Sequence, residues 1–397
     1  MAQKRTRVAA LTGARAIAGL YILALHFGAP LYAHAPGWAQ TLRANGYVAT
    51  SFFLMLSGFV LMQAYGQRLA DGRVGQRAFF VQRLARLYPC YLLALVLMIP
   101  FALVRHWGFV TGTFGDATVR YKLATFAAQA TMTHVWVPRL VTSWNVPSWC
   151  VSVELWFYLA FPTVAALLVA RRGRALVAVL ALAWAATLAM SIAYTVLQPD
   201  GFHAEVESVG FWLSLLKFTP YTRWPELLFG MALGALWLRV PDAHRGRRWA
   251  TLLLGSGALA TVGVLVCGDR IPYTLLHNGA LLPLYGLIVW GLMLGVGPLH
   301  RALSVRPLTT VGDASYVLYI LQVPLMQWMA VATGRRYGAG GFAFTAAALA
   351  ITIAASVAIH HLFEVRAQAW LRARLERRLL RVDEPALGLV AAGPNLP

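Results

Sequence analysis

Residues 11–27 read LTGARAIAGLYILALHF, an apolar run interrupted by a cation at Arg15 and an imidazole at His26. A run of this length and character reads as a membrane-crossing helix. Ionisable groups inside such a helix are costly and usually face the protein interior. Arg15 and His26 are eleven positions apart. At about 100° per residue the offset is three turns plus roughly 20°, so both lie on one helix face. Along the axis they are separated by about 16 Å, which sets Arg15 toward one membrane surface and His26 near the midplane. A polar cavity entered from the Arg15 side is expected.

The rest of the chain has the same character. Of its 397 residues, 59% are hydrophobic and 12% charged, against roughly a quarter charged in soluble domains. The net charge of +20 would suit nucleic acid only if the bases clustered on one folded face. They are instead dispersed between apolar runs, as in the basic loops of a membrane protein, and no nucleic-acid partner is expected. Cys90, Cys150 and Cys267 lack metal-ligand spacing. They read as packing residues, with neither a disulfide nor a metal site. No internal repeat stands out.

Ten stretches are candidate spans: 11–33, 45–65, 87–104, 147–169, 175–197, 224–239, 250–267, 275–298, 309–331 and 341–363. The sixth is short and needs its flanks or a tilt to cross. Residues 120–142, interrupted by Arg120, Lys122 and Arg139, read as an interfacial or re-entrant segment. With a cytoplasmic N-terminus, 23 basic residues fall in inside segments and 10 outside, which supports ten spans and cytoplasmic termini. Ala33-His34-Ala35 mimics a signal-peptide cleavage site, but Arg15 and His26 would interrupt its apolar region, so retention is expected. The expected fold is thus all-α, a polytopic membrane protein of about ten transmembrane helices around a polar central cavity. Residues 1–363 form the membrane domain and 364–397 a basic tail. Glu364 to Arg381 is expected on the anionic cytoplasmic leaflet, and the last dozen residues are expected to be loose.

Further polar groups sit in or beside apolar runs. Ser51, Ser57 and Gly58 in the second span suit close helix packing as well as catalysis. Arg83 and Arg86, three apart, share a helix face. They read as a solvated basic stripe or as a paired clamp for phosphates. Glu154 lies about two turns into the fourth span, where a carboxylate must be neutralised or paired, and Tyr158 follows one turn on. Arg223 and Glu226, also three apart, suit an interfacial ion pair or a wall of an acceptor pocket. In the ninth span Asp313 can cap the helix. Ser315, Tyr319 and Gln322 then line one face, as a packing seam or a substrate wall.

Six segments carry a more specific signal. LTGARAIAGLYILALHF, SFFLMLSGF, FFVQRLARLYPCY, PSWCVSVELWFYLAFP, RWPELLFGMALG and ASYVLYILQVPL follow the order of the signature segments of the membrane acyltransferase-3 family, which the chain resembles over nearly all its spans. These are bacterial O-acyltransferases acting on surface polysaccharides, Nod factors and some macrolides. The family's Arg–His pair corresponds to Arg15 and His26, and its paired arginines to Arg83 and Arg86. Its Trp-Ser-x-Ser-x-Glu segment corresponds to Trp149, Ser152 and Glu154, with Cys150 where Ser is usual and Leu155 where a second Glu is common. Gln322 stands where the family often has His, which leaves His26 as the histidine well inside a motif span, apart from His360 and His361 at the end of span ten. No hydrolase-like domain of the kind found in longer members is expected after that span.

The resemblance implies an enzyme of the inner membrane of a bacterium. It would move an acyl group, acetyl in the simplest case, from cytoplasmic acyl-CoA to a hydroxyl of a saccharide or glycosylated small molecule, with no permanently bound cofactor. Arg15, Arg83 and Arg86 would receive the CoA phosphates, His26 would act as general base, and Glu154 would orient the imidazole or the acceptor. Ser57, Trp149, Ser152, Tyr158, Arg223, Glu226, Tyr319 and Gln322 would contact substrate. The tryptophans Trp136, Trp144, Trp149, Trp212 and Trp224 could stack on a sugar ring or form an interfacial belt. The alternative is a transporter or flippase for a sugar- or lipid-linked substrate, since buried charges among ten spans also suit a substrate path.

Overall fold

A computed structural model describes residues 2–103, 119–240, 247–295, 297–334 and 341–379. It is built of helices, with no strand among the described residues. Ten carry the architecture: α1 (Ala2–Phe27), α2 (Ala49–Leu61), α3 (Gln76–Leu103), α4 (Ser148–Ala170), α5 (Gly173–Leu197), α6 (Pro220–Trp237), α7 (Arg247–Val266), α8 (Leu282–Leu294), α9 (Ser315–Thr333) and α10 (Gly341–Ile359). Nine helical stretches among the described residues are long and apolar enough to cross a membrane, and the protein is a polytopic membrane protein.

The expected sixth span, α6, is not among those nine. It has 18 residues, and Arg223 and Glu226 in its first half lower its hydropathy. Burial compensates. Both side chains are 0% exposed, because α6 lies between α2 and α5 and against α4. A helix shielded by protein on several sides can carry charge that a lipid-facing helix cannot.

α2 is the hub, packing on α1, α4, α6 and α8. Its contact with α6 is backbone to backbone. A Cβ at Gly230 would stand 1.8 Å from the Met55 carbonyl oxygen, and one at Gly58 would stand 2.1 Å from that of Leu227. Such close approach by small residues is a means of helix association where lipid removes the hydrophobic drive. α2 runs on through a π-helical turn, Met62–Gly66, into Gln67–Ala70. α10 does the same through His360–Glu364 into Val365–Leu379, which packs along α3. The chain therefore shows no helix break at residue 364, and residues 380–397, including Arg381 and the last dozen, lie outside the described residues.

Two local expectations change. Asp313 does not cap the ninth span: it ends a separate helix, Arg306–Asp313, and Ala314 precedes α9 with no side-chain cap. Cys90 and Cys150 are buried, but Cys267 is exposed rather than packed. The segment 120–142 holds a helix of only 12 residues, Val119–Ala130, and a short 3-10 turn, Thr133–Trp136, too short to cross.

Gly230→Ala should separate α2 from α6 and cost on the order of 1–3 kcal/mol, the usual range for overpacking. Gly255→Ala, where an added Cβ meets nothing within 4 Å, should be neutral. Thermal unfolding in detergent compares the two, and equal midpoints would contradict the backbone contact.

Candidate functional site

The order of residues along the helices gives the site its axis. α1, α3 and α9 run one way, and α2 and α4 the other. At the basic end, Arg83 donates from Nη2 to Oη of Tyr65 at 3.1 Å. Its guanidinium also lies 5.1 Å from the centre of that ring. Tyr65, in the π-helical turn after α2, donates in turn to Gln82 Oε1 at 3.0 Å. Arg15 donates to Ser315, the first residue of α9, at 2.9 Å. At the other end the Phe53 and Tyr319 rings stand 6.4 Å apart. Twelve residues separate Phe53 from Tyr65, so the axis is about 18 Å long.

Between these ends lies one cavity of about 100 Å³, room for several water molecules. Arg15, Arg83 and Arg86 line its basic end; Ser57, Glu154 and Tyr158 its middle; Phe53, Leu54, Cys150, Val151 and Tyr319 its far end. The Ser57 hydroxyl donates to Oε1 of Glu154, and Tyr158 stands beside the pair. Helical spacing explains the grouping: Cys150, Glu154 and Tyr158 are successive fours on α4, and Phe53 and Ser57 are four apart on α2. Three guanidinium groups converging at one end can bind phosphate oxygens. The carboxylate and hydroxyls deeper in can hold a polar, uncharged group.

Of the thirteen residues expected to act on or contact substrate, seven thus meet in one cavity, Arg15, Ser57, Arg83, Arg86, Glu154, Tyr158 and Tyr319, with Ser315 and Cys150 beside them. The other six lie elsewhere.

His26 is outside the cavity lining. Its Nδ1 meets Oε1 of Gln322 at 3.2 Å, one turn beyond Tyr319 on α9 and close to the middle of that helix. Gln322 donates its own Nε2 to the Tyr319 carbonyl at 3.0 Å, which turns its oxygen toward His26. An amide oxygen only accepts, so Nδ1 carries the proton and Nε2 keeps its lone pair. Gln322, and not Glu154, orients the imidazole; Glu154 is taken up by Ser57. The same stretch of α9 is braced from outside. Pro324 has no N–H for the Ile320 carbonyl, and Asn145 Nδ2 bonds that oxygen instead at 2.9 Å.

Arg223 and Glu226 are not in the lining of this cavity, and both are fully enclosed by protein. The pair, 3.0 Å apart, is enclosed with Ser51, which donates to Glu226 at 3.0 Å. Arg223 also donates to the His277 carbonyl at 2.8 Å and lies 5.4 Å from the Trp149 ring centre. Trp149 is therefore held by this network, buried rather than open to a substrate. Ser152 belongs to a further buried network: it donates to the Ser148 carbonyl at 3.0 Å and reaches Tyr91 Oη at 3.4 Å. There Gln129 Oε1 accepts from Tyr91 and Ser148 at 2.9 and 3.1 Å. Ser148 also meets His134 Nε2 at 3.3 Å, and burial lowers the His134 imidazole to about 3, which keeps it neutral.

The sequence reading missed Phe53, Tyr65, His134 and His277. Phe53 is one aromatic among many, and the other three gain meaning only from partners far along the chain. Trp136 makes edge contacts with Trp156, Tyr221 and Trp224 at 5.7, 5.1 and 5.8 Å, an aromatic cluster apart from the cavity.

Fold and site together define a multi-pass helical membrane protein with a cavity that is cationic at one end and polar within. Residues 8–361 match the acyltransferase-3 family, described as an acyltransferase domain, and the chain belongs to that family. Over 88 residues it is 41% identical to "Protein 2 in picA locus" of Rhizobium radiobacter, covering 22% of this chain and 42% of that protein. Over 169 residues it is 30% identical to "Acyltransferase MdmB" of Streptomyces mycarofaciens, covering 41% of this chain and 40% of that one. The chain thus spans less than half the length of either relative. No solved structure matches it.

Glu226→Ala leaves Arg223 buried without its carboxylate, a change that typically costs about 3–5 kcal/mol. The folded yield should drop sharply, whereas Glu226→Gln, which still accepts from Ser51, should lose less. Size-exclusion profiles of the two variants check this; equal, near-normal yields would contradict a structural pair.

Proposed function

We propose that the chain is an integral-membrane O-acyltransferase of a bacterial inner membrane. It transfers a short acyl group, acetyl in the simplest case, from cytoplasmic acyl-CoA to a hydroxyl of a carbohydrate or glycosylated acceptor, such as a cell-surface polysaccharide or a macrolide-like compound. The observation that carries this reading is the cavity itself. Three arginines gather at its basic end, the end that the charge distribution makes cytoplasmic, and an oriented imidazole stands one helical turn past its far end.

In this reading Arg15, Arg83 and Arg86 take the CoA phosphates by charge and bidentate geometry. The pantetheine arm extends along the axis past Ser57, Glu154 and Tyr158, and the acyl group of the thioester reaches the Tyr319 layer. The acceptor approaches from the His26 side. Its hydroxyl oxygen attacks the thioester carbon while Nε2 of His26 takes the proton. The C–S bond then breaks, CoA leaves as thiolate, and the imidazolium returns the proton to it. Gln322 holds the tautomer that makes Nε2 the base. Glu154 fixes Ser57 and Tyr158 along the donor path and does not touch His26.

Purified protein in detergent should release CoA thiol from acetyl-CoA slowly, and faster with an acceptor saccharide. His26→Ala should reduce transfer by about 10²–10⁴-fold, the usual loss for a general base, while the protein accumulates normally. Solute flux in liposomes without thioester cleavage would instead favour a transporter, and more than about a tenth of wild-type transfer in the variant would remove His26 as the base.

The donor end has its own test. Arg83→Ala and Arg86→Ala should each weaken acyl-CoA binding, the double variant most, and added salt should weaken it further in the wild type. Titration calorimetry measures both effects. Unchanged affinity in the double variant would return the pair to a solvated stripe.

A further inference from the structure

We infer that Phe53, backed by Tyr319, is the ruler that limits the donor's acyl chain to a few carbons. This rests on the acyl-CoA reading above and adds to it the residues that select the acyl group. The cavity lining changes character along its axis. Guanidinium groups give way to Ser57, Glu154 and Tyr158, and then to Phe53, Leu54 and Val151, with Cys150 and Tyr319 beside them. Leu56, Val60, Leu61 and Leu87 line the charged part of the cavity as well, but the far stretch holds no charged group, and a thioester threaded from the cationic end brings its acyl group there last.

The stretch is short and closed by rings. Phe53 on α2 and Tyr319 on α9 face each other with centres 6.4 Å apart and planes tilted by 49°. The neighbouring Phe52 ring makes an edge contact with Phe53 at 6.2 Å and is itself buried. Tyr319 is itself buried, and its main-chain carbonyl accepts from Gln322. Beyond it lies the Gln322–His26 pair, so a longer chain would have to displace the groups that orient the imidazole. An acetyl or propionyl group ends before that layer, and a hexanoyl chain does not.

The test measures CoA-thiol release and competitive binding for acetyl-, butyryl- and hexanoyl-CoA with the full chain in detergent. The wild type should favour acetyl over hexanoyl by at least about tenfold, since a methylene misfit in a hydrophobic pocket is worth roughly 10–200-fold. Phe53→Ala should move that ratio toward hexanoyl by about tenfold or more, with Phe53→Leu between the two. The Leu variant carries the test if Ala does not fold. Phe59→Leu, at a ring that is 0% exposed on the same helix but outside the cavity, should keep the wild-type ratio. Equal use of hexanoyl- and acetyl-CoA by the wild type overturns the ruler while leaving the acyltransferase reading intact. So does a wild-type ratio in folded Phe53→Ala or Phe53→Leu. Absence of binding and cleavage of every acyl-CoA by the wild type would instead remove the donor reading, and the ruler with it.

Discussion

A cation enclosed among apolar helices must find its partners within the protein, and that constraint organises this bundle. Arg223 is the clearest case. Its guanidinium meets Glu226, the His277 carbonyl and the hydroxyls of Ser51 and Thr50, so three separate parts of the chain must arrive together. Leaving any buried charge unmatched would cost more than most helix contacts return. The network therefore fixes where α2 stands relative to α6 and to the segment before α8. The backbone contact at Gly58 and Gly230 follows from the same placement, and it brings Phe53 and Ser57 to the face of α2 that lines the cavity.

Two kinds of buried polar group result, with different fates. Arg223, Glu226, Ser152 and His134 are enclosed by protein, and the partners they do have are other buried groups. Arg15, Arg83, Arg86 and Glu154 have partners of their own but also border open space. Cost of burial alone does not separate the two sets; access to a cavity does. This is why a buried ion pair three residues apart, which in the sequence suits an interfacial pair or a pocket wall, stands in the structure as a link between α6, α2 and the His277 carbonyl.

α9 links the basic end of the cavity to His26. Ser315 holds Arg15, Tyr319 closes the cavity, and Gln322 sets the tautomer of His26, all on one helix face at steps of four and three. Pro324 interrupts the backbone bonding just beyond, and Asn145 restores it at Ile320. A side-chain amide at position 322 keeps the imidazole oriented without adding a second titratable group beside it.

The sequence by itself determined the class of fold and the family. Runs of apolar residues and the dispersal of basic ones follow from the cost of placing charge in lipid, a cost paid locally along the chain. The shared faces of Arg15 with His26, of Arg83 with Arg86, and of Ser315 with Tyr319 and Gln322 are likewise set by helical period alone. Tertiary structure decided which polar groups meet. Glu154 finds Ser57, His26 finds Gln322 and Trp149 lies under Arg223, and none of these follows from spacing because each pair joins different helices. It also decided what surrounds α6. α6 fails a hydropathy test that assumes lipid all round, yet it is accommodated because its neighbours, rather than its own residues, supply the surroundings of its charges.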